Sequence, residues 1–322
     1  MMDKRALGKT GLQVSPLAFG GNVLGWTVDE PSSFRLLDAY VEAGGNLIDT
    51  ADVYSRWAEG NRGGESEAII GKWLKTRKKR TDVLIATKVG SDMGGGNQGL
   101  GRKYIITAVE NSLRRLQTDY IDLYQAHYDF AEYPLEETLG AFDQLYRQGK
   151  IRAVGASNYS ADRLTESLKV SDSRNLVRYQ TLQPLYNLYD RAPFEESLQR
   201  VCLENGLGVI NYYTLASGFL TGKYRNECDL SKSKRGQGNK KYLTPRGMRI
   251  LEALDKISKE YNATPAEISI AWLLSRPAIT ACIASARTAD QLNLLVTATG
   301  LRLDPDALDY LTTASDDSRT TA

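Results

Sequence analysis

Eight short, apolar, β-rich runs recur along the chain, at 17–19, 46–48, 83–86, 121–124, 152–155, 177–182, 208–210 and 279–283, and segments of helical period separate them. This alternation restricts the fold more than any other feature. Phe34, Leu37 and Val41 share one helical face, and Ile69, Ile70, Trp73 and Leu74 another. Ile105, Val109, Leu113 and Leu116 form a third stripe, and Leu135, Leu139, Phe142 and Leu145 a fourth. Thr264-Pro265-Ala266-Glu267 reads as a capping box with proline at the first helical position. Parallel neighbours need crossover helices, so the alternation predicts an α/β fold with a parallel sheet, and eight such units close into a (β/α)8 TIM barrel. One barrel domain over 1–322 is expected.

Two segments fall outside the repeat. Gly8-Lys9-Thr10-Gly11 lies between short apolar stretches and predicts a hairpin capping one end of the barrel. After the seventh strand, 213–244 forms a long loop with Lys223, Arg225, Lys232, Lys234, Arg235, Lys240 and Lys241 against Glu227 and Asp229. A connection of this length is either functional or a solvated excursion. Gly94-Gly95-Gly96 reads as a loop.

Charge and cysteine usage narrow the partners. Forty-one basic side chains against 39 acidic ones leave a net +2, which argues against nucleic acid. Cys202, Cys228 and Cys282 have neither disulfide nor zinc spacing. No apolar run follows the N-terminal charges and no stretch reaches the length of a membrane span. A cytoplasmic protein with no membrane partner is expected.

In a parallel barrel, chemistry is built at the carboxyl ends of the strands. The second predicted strand leads into Asp49-Thr50-Ala51-Asp52-Val53-Tyr54, the third into Thr87-Lys88, and the fourth into Gln125-Ala126-His127, which holds the chain's one histidine. A buried ammonium at Lys88 needs a carboxylate, and Asp49 is the natural partner. A phenol has a pKa of about 10. The neighbouring Lys88 is expected to lower that of Tyr54 and make it a usable proton donor. Neutral His127 can orient a substrate oxygen.

The set lacks a strong nucleophile, and a metal-dependent hydrolase built on His127 and Asp129 is short of ligands. It suits carbonyl reduction with hydride from a bound nicotinamide. Ser157-Asn158, Gln183 and Tyr212 follow later strands, with amides to hold a carboxamide and a ring to stack on nicotinamide. No G-x-G-x-x-G opens a βαβ unit, which excludes a Rossmann reading.

The motifs Leu7-Gly8-Lys9-Thr10-Gly11, Asp49-Thr50-Ala51 with Tyr54, Gly64-Glu65-Ser66-Glu67, Thr87-Lys88 and Asp122-Leu123-Tyr124-Gln125-Ala126-His127 occur in order. Gly149-Lys150-Ile151-Arg152, Gly155-Ala156-Ser157-Asn158 and Gly218-Phe219-Leu220-Thr221-Gly222-Lys223 continue the series. In these the chain resembles the aldo-keto reductases along nearly its whole length. The resemblance implies an NADP(H)-dependent enzyme acting on a small carbonyl substrate through a catalytic tetrad of Asp49, Tyr54, Lys88 and His127. It implies nicotinamide contacts from Ser157, Asn158, Gln183 and Tyr212, and pyrophosphate contacts from Leu215, Gly218, Leu220 and Lys223. It places Ser285, Arg287 and Gln291 at the adenosine end, with Arg287 facing the 2′-phosphate because its fork of donors suits that dianion.

The family also resembles potassium-channel β subunits, so an NADP-binding regulatory subunit with little turnover is the second expectation. Four departures bear on specificity. Residues 55–63 lengthen the link after Tyr54 and bring Trp57 and Arg62 near the mouth. Tyr128-Asp129-Phe130 follows His127, Tyr212-Tyr213-Thr214 replaces Tyr-Ser-Pro, and Leu295 stands where many relatives have an adenine-binding asparagine. Trp26, Trp57 and Tyr128 are the candidate substrate pocket.

Overall fold

A computed structural model describes residues 2–77, 79–234 and 236–317. Strands β1 (Arg5–Ala6) and β2 (Gln13–Val14) form an antiparallel hairpin. The strands β3 (Leu17–Gly20), β4 (Leu47–Asp49), β5 (Leu84–Val89), β6 (Leu123–Ala126), β7 (Val154–Ser157), β8 (Thr181–Gln183), β9 (Gly208–Asn211) and β10 (Ile279–Ala284) follow. They pair in parallel and in sequence order, and β10 closes the barrel between β9 and β3. The (β/α)8 expectation therefore holds.

Each barrel strand ends later than its apolar run predicts. The reason lies in the twofold strand period, which puts Leu47 and Asp49, Ala86 and Lys88, and Leu123 and Gln125 on the same inward face. The lower layer is apolar: Ala18, Leu47, Ala86, Leu123, Ala153, Ile210 and Ala281 pack together. The upper layer is polar, with Asp49 accepting from both Lys88 and Gln183, and the backbone ladder continues through residues that hydropathy alone assigns to loops.

The hairpin closes the lower end. Leu7 and Val14 are buried in that apolar layer. Gly8 makes this possible: its φ is +53°, and a Cβ there would stand 2.4 Å from the Gly208 nitrogen and 2.7 Å from the Gln180 carbonyl. No other residue fits.

Helices α1 (Glu30–Glu42), α2 (Glu65–Thr76), α3 (Arg102–Leu116), α4 (Leu135–Arg147), α5 (Ala161–Arg174), α6 (Gln199–Asn205), α7 (Pro245–Glu260), α8 (Pro265–Leu274), α9 (Ala289–Ala298) and α10 (Pro305–Ala314) complete the described elements of full helical form. The predicted stripes of α2, α3 and α4 are buried. On α1 the buried face is Leu36, Leu37 and Tyr40, with Phe34 and Val41 at its margin. Tyr40 carries the difference, because its hydroxyl bonds the Leu17 and Leu47 carbonyls inside the sheet. The Thr264–Glu267 capping box is present, with Pro265 in the first turn of α8.

The connection after β9 is more regular than its sequence suggests. It contains the 3₁₀ segments Ala216–Thr221, Glu227–Lys232 and Gly236–Tyr242. Arg225, Lys232 and Lys240 are tied to Asp255, Asp229 and Glu227. Arg235 lies outside the described residues. Among the described residues, no helix is long and apolar enough to cross a membrane.

Candidate active site

The polar layer at the carboxyl ends of β4 and β5 brings together three of the four tetrad residues expected from sequence. Lys88 Nζ donates to Asp49 Oδ1 at 2.9 Å and Oδ2 at 2.7 Å, and to the Thr50 carbonyl at 2.8 Å. It also stands 2.9 Å from the Tyr54 hydroxyl, which itself lies 3.3 Å from Asp49 Oδ2. Gln183 Nε2, reaching across from β8, donates to Asp49 Oδ1 at 2.8 Å. Asp49 and Lys88 are buried, and each is the other's principal solvation.

These contacts correct the sequence argument about Tyr54. Lys88 does adjoin the phenol, but Asp49 shares the same contact and offsets its charge. Burial first, and then Asp49, push the Tyr54 phenol well above its ordinary value of 10.0. Burial also draws Lys88 below its ordinary 10.5, against the opposing pull of Asp49. Tyr54 is thus fully protonated across the neutral range.

His127 lies beside this group, its ring centroid 6.1 Å from that of Tyr54. Its backbone is fixed on both sides, donating to the Val89 carbonyl at 2.9 Å and accepting from Asn158 Nδ2 at 2.9 Å. Tyr128 stacks on the imidazole with centroids 4.9 Å apart and planes 11° from parallel. Burial, reinforced by the Lys88 ammonium, holds the ring well below the usual histidine value of 6.5 and keeps it neutral.

A pH signature follows. Below 6.5 the unfolded chain takes up a proton on this histidine that the folded protein refuses, so the site's contribution makes stability fall as pH drops through 6.5. In thermal melts on either side of that pH, His127→Gln should lose less stability on acidification than the wild type. Equal losses would mean that the ring is not shielded.

The residues expected to hold nicotinamide form one chain of hydrogen bonds. Ser157 Oγ donates to the Gln183 carbonyl at 2.8 Å, Asn158 Nδ2 to Ser157 Oγ at 3.1 Å, and the Tyr212 hydroxyl to Asn158 Oδ1 at 2.7 Å. The next turns are conformationally costly. Tyr213, Ala216 and Ser217 have φ values of 55°, 46° and 56°, all left-handed, ahead of Gly218 at 96°. Leu215 and Leu220 close this turn through a backbone bond, and Lys223 Nζ stands over the Tyr224 ring. Ser285 Oγ bonds Asn22 Oδ1 at 2.7 Å. Gln291 Oε1 accepts from the Arg287 backbone at 2.9 Å, and the Arg287 side chain is exposed with no ion pair among the described residues. Leu295 is buried in the core, with no polar group to offer.

Aromatic side chains lie beside Tyr54 and His127. Trp57 packs edge-on to Tyr54 at 6.0 Å and to Trp26 at 5.7 Å, yet it is 50 % exposed, and Tyr128 is 46 % exposed. The 55–63 segment that carries Trp57 is stapled: Ser55 Oγ donates to the Leu24 carbonyl, and Asn61 Nδ2 to those of Gly25 and Ser55. Arg56 is turned to Asp92 and the Arg62 backbone to Glu65. Asp129 is engaged by Arg163 Nε at 3.0 Å.

Sequence reading missed two residues here. Ser91 Oγ lies 2.9 Å from His127 Nδ1. Asp52 is buried, its carboxylate oxygens have no hydrogen-bond partner among the described residues, and burial, with Glu67 nearby, pushes it well above the ordinary carboxylate value of 3.8.

Comparison with known proteins bears on this arrangement. A sequence profile of the Aldo/keto reductase family matches residues 16–316. The chain is 34 % identical over 315 residues to Aldo-keto reductase YhdN of Bacillus subtilis, covering 95 % of this chain and 91 % of the relative. It is 32 % identical over 299 residues to a probable voltage-gated potassium channel subunit beta of Arabidopsis thaliana, covering 90 % and 89 %. To a putative aryl-alcohol dehydrogenase, AAD14 of Saccharomyces cerevisiae, it is 30 % identical over 330 residues, covering 95 % and 85 %. With an eight-stranded parallel barrel, a buried Asp49–Lys88 pair touching Tyr54 at its carboxyl end and similarity along nearly the full length, the chain belongs to the aldo/keto reductase family of oxidoreductases.

Proposed function

We propose that the protein reduces an aldehyde or ketone to an alcohol using NADPH, with Tyr54 as the proton donor. The observation that carries this reading is the Tyr54 hydroxyl, held protonated and 2.9 Å from a buried ammonium. When bound, the nicotinamide supplies the hydride for the carbonyl carbon. As the substrate oxygen becomes negative, Tyr54 releases its proton to it, and Lys88 stabilises the phenolate left behind. Asp49 keeps Lys88 charged and aimed. Neutral His127 donates a hydrogen bond that orients the same oxygen and draws charge onto it. Trp26, Trp57 and Tyr128 border the substrate's apolar part.

The residues present fit the cofactor. The two protons of Asn158 Nδ2 are already committed, and Tyr212 occupies one lone pair of Oδ1, which leaves one lone pair facing a ligand. Gln183 Oε1 takes no donor among the described residues, since its bonds run through Nε2. Two acceptors beside the tetrad suit the amino group of a carboxamide. Tyr212, anchored through its hydroxyl, offers a ring face to nicotinamide. The left-handed turn with Leu215, Gly218 and Leu220, followed by Lys223, takes the pyrophosphate. Ser285, Arg287 and Gln291 take the adenosine end, and the exposed Arg287 guanidinium meets the 2′-phosphate. The three free cysteines accord with a reducing cytoplasm.

Titration with NADPH and NADH, followed by nitrobenzaldehyde-dependent oxidation of NADPH, tests the reading. Tight NADPH binding with turnover is the expected result, and absence of binding would overturn it. Arg287→Ala should weaken NADPH roughly ten- to a hundredfold and NADH little, because only NADPH loses charge-assisted bonds. Equal losses would remove the 2′-phosphate role. The likeness to a plant protein named as a channel subunit favours one second reading, an NADP-binding regulatory subunit. Binding without turnover across a broad aldehyde panel would establish it.

A further inference from the structure

We infer that Ser91 is a positioning residue that fixes His127 as the tautomer protonated on Nε2. The inference rests on the reading of His127 as a hydrogen-bond donor to the substrate oxygen. Ser91 follows β5 at the turn made by Gly90, and His127 follows β6, so two adjacent strand ends bring Ser91 Oγ within 2.9 Å of His127 Nδ1. Both residues are buried, each 8 % exposed.

The remaining freedom of the imidazole is small. Bonds to Val89 and Asn158 pin its backbone, and Tyr128 covers one face in near-parallel stacking. None of these contacts distinguishes one ring edge from the other. A half-turn of the ring about its Cβ–Cγ bond would preserve the stack and exchange nitrogen for carbon at both edges. Neither do they decide which nitrogen of a neutral ring carries the proton.

Ser91 decides both. Its hydroxyl has no other acceptor among the described residues, so the hydrogen bond that uses its proton runs from Oγ to Nδ1. A neutral imidazole that accepts at Nδ1 carries its proton on Nε2. Nε2 has no protein partner among the described residues, which leaves its N–H for a ligand at the mouth. The opposite tautomer would present a bare lone pair there, repelling a carbonyl oxygen on which charge is growing.

The chain has a single histidine, so the test is direct. In protein labelled with ¹⁵N-histidine, long-range proton–nitrogen spectra should show one imidazole, protonated on Nε2. Ser91→Ala should give a mixture of tautomers and lower kcat about tenfold, the worth of one hydrogen bond. NADPH affinity should not change, and Ser91→Thr should restore both the spectrum and turnover. A wild-type ring protonated on Nδ1 would overturn the inference, and that spectrum needs no variant to fold. An Ala variant with an unaltered tautomer would overturn it equally. If the tautomer moves but kcat does not, the hydrogen bond is as described and the donor role of His127 is what fails.

Discussion

Replacing Tyr54 with phenylalanine lowers turnover by about 10²–10⁴-fold, the usual worth of a general acid, and leaves the NADPH dissociation constant unchanged. The hydrogen-bond inventory explains why the fold survives. Lys88 has three protons and four neighbouring oxygens, namely both Asp49 oxygens, the Thr50 carbonyl and the Tyr54 hydroxyl. Deleting the hydroxyl strands no proton, and the ring keeps its packing against Trp57 and His127. The residues proposed to hold the cofactor bond one another and make no bond to Tyr54. Steady-state rates with nitrobenzaldehyde and a fluorescence titration with NADPH check both halves. Full turnover in the variant would mean that the acid is another group.

The second large effect is on stability. Lys88→Met removes the ammonium and leaves the Asp49 carboxylate buried, with Gln183 Nε2 and the more distant Tyr54 hydroxyl as its remaining donors. Stranding one member of a buried ion pair costs about 3–5 kcal/mol. Adding Asp49→Asn should recover most of that loss, because a neutral amide no longer needs a counter-charge. Neither variant should turn over. Urea unfolding of the wild type, the two single variants and the double variant gives the coupling energy. A cost under about 1 kcal/mol for Lys88→Met would show that the pair is solvated after all.

Much of this arrangement is legible in the sequence because a parallel barrel repeats one geometric decision eight times. Asp49, Lys88, Gln125 and Gln183 can be assigned to one rim, since each follows an apolar run by one or two residues. What the interval conceals is that these residues belong to the strands, facing inward over Leu47, Ala86 and Leu123. The Ser91–His127 contact joins residues far apart in sequence through the lateral pairing of β5 and β6, and one serine after a glycine announces nothing. Proximity to Lys88 alone predicts a lowered pKa for the Tyr54 phenol. The sign of the Tyr54 shift is set first by burial and then by Asp49, neither of which a pairwise reading of Lys88 and Tyr54 contains. Asp52 is invisible for a similar reason, since its burial arises only from tertiary packing.

Closure of the barrel by β10 has a consequence for how the chain is made. β3 leaves the ribosome before the other barrel strands, yet one of its two neighbours, β10, is the last of the eight to be made. At a translation rate of about 5–20 residues per second, that edge waits on the order of half a minute for its partner. Throughout that time β3 offers an unsatisfied row of backbone groups to any other nascent chain. Leu7 and Gly8 face a similar delay, since the floor they seal includes Ile210 and Ala281. The hairpin therefore finds its place only after the last barrel strand is made, and a stall before β10 would leave an open, adhesive sheet rather than a smaller barrel.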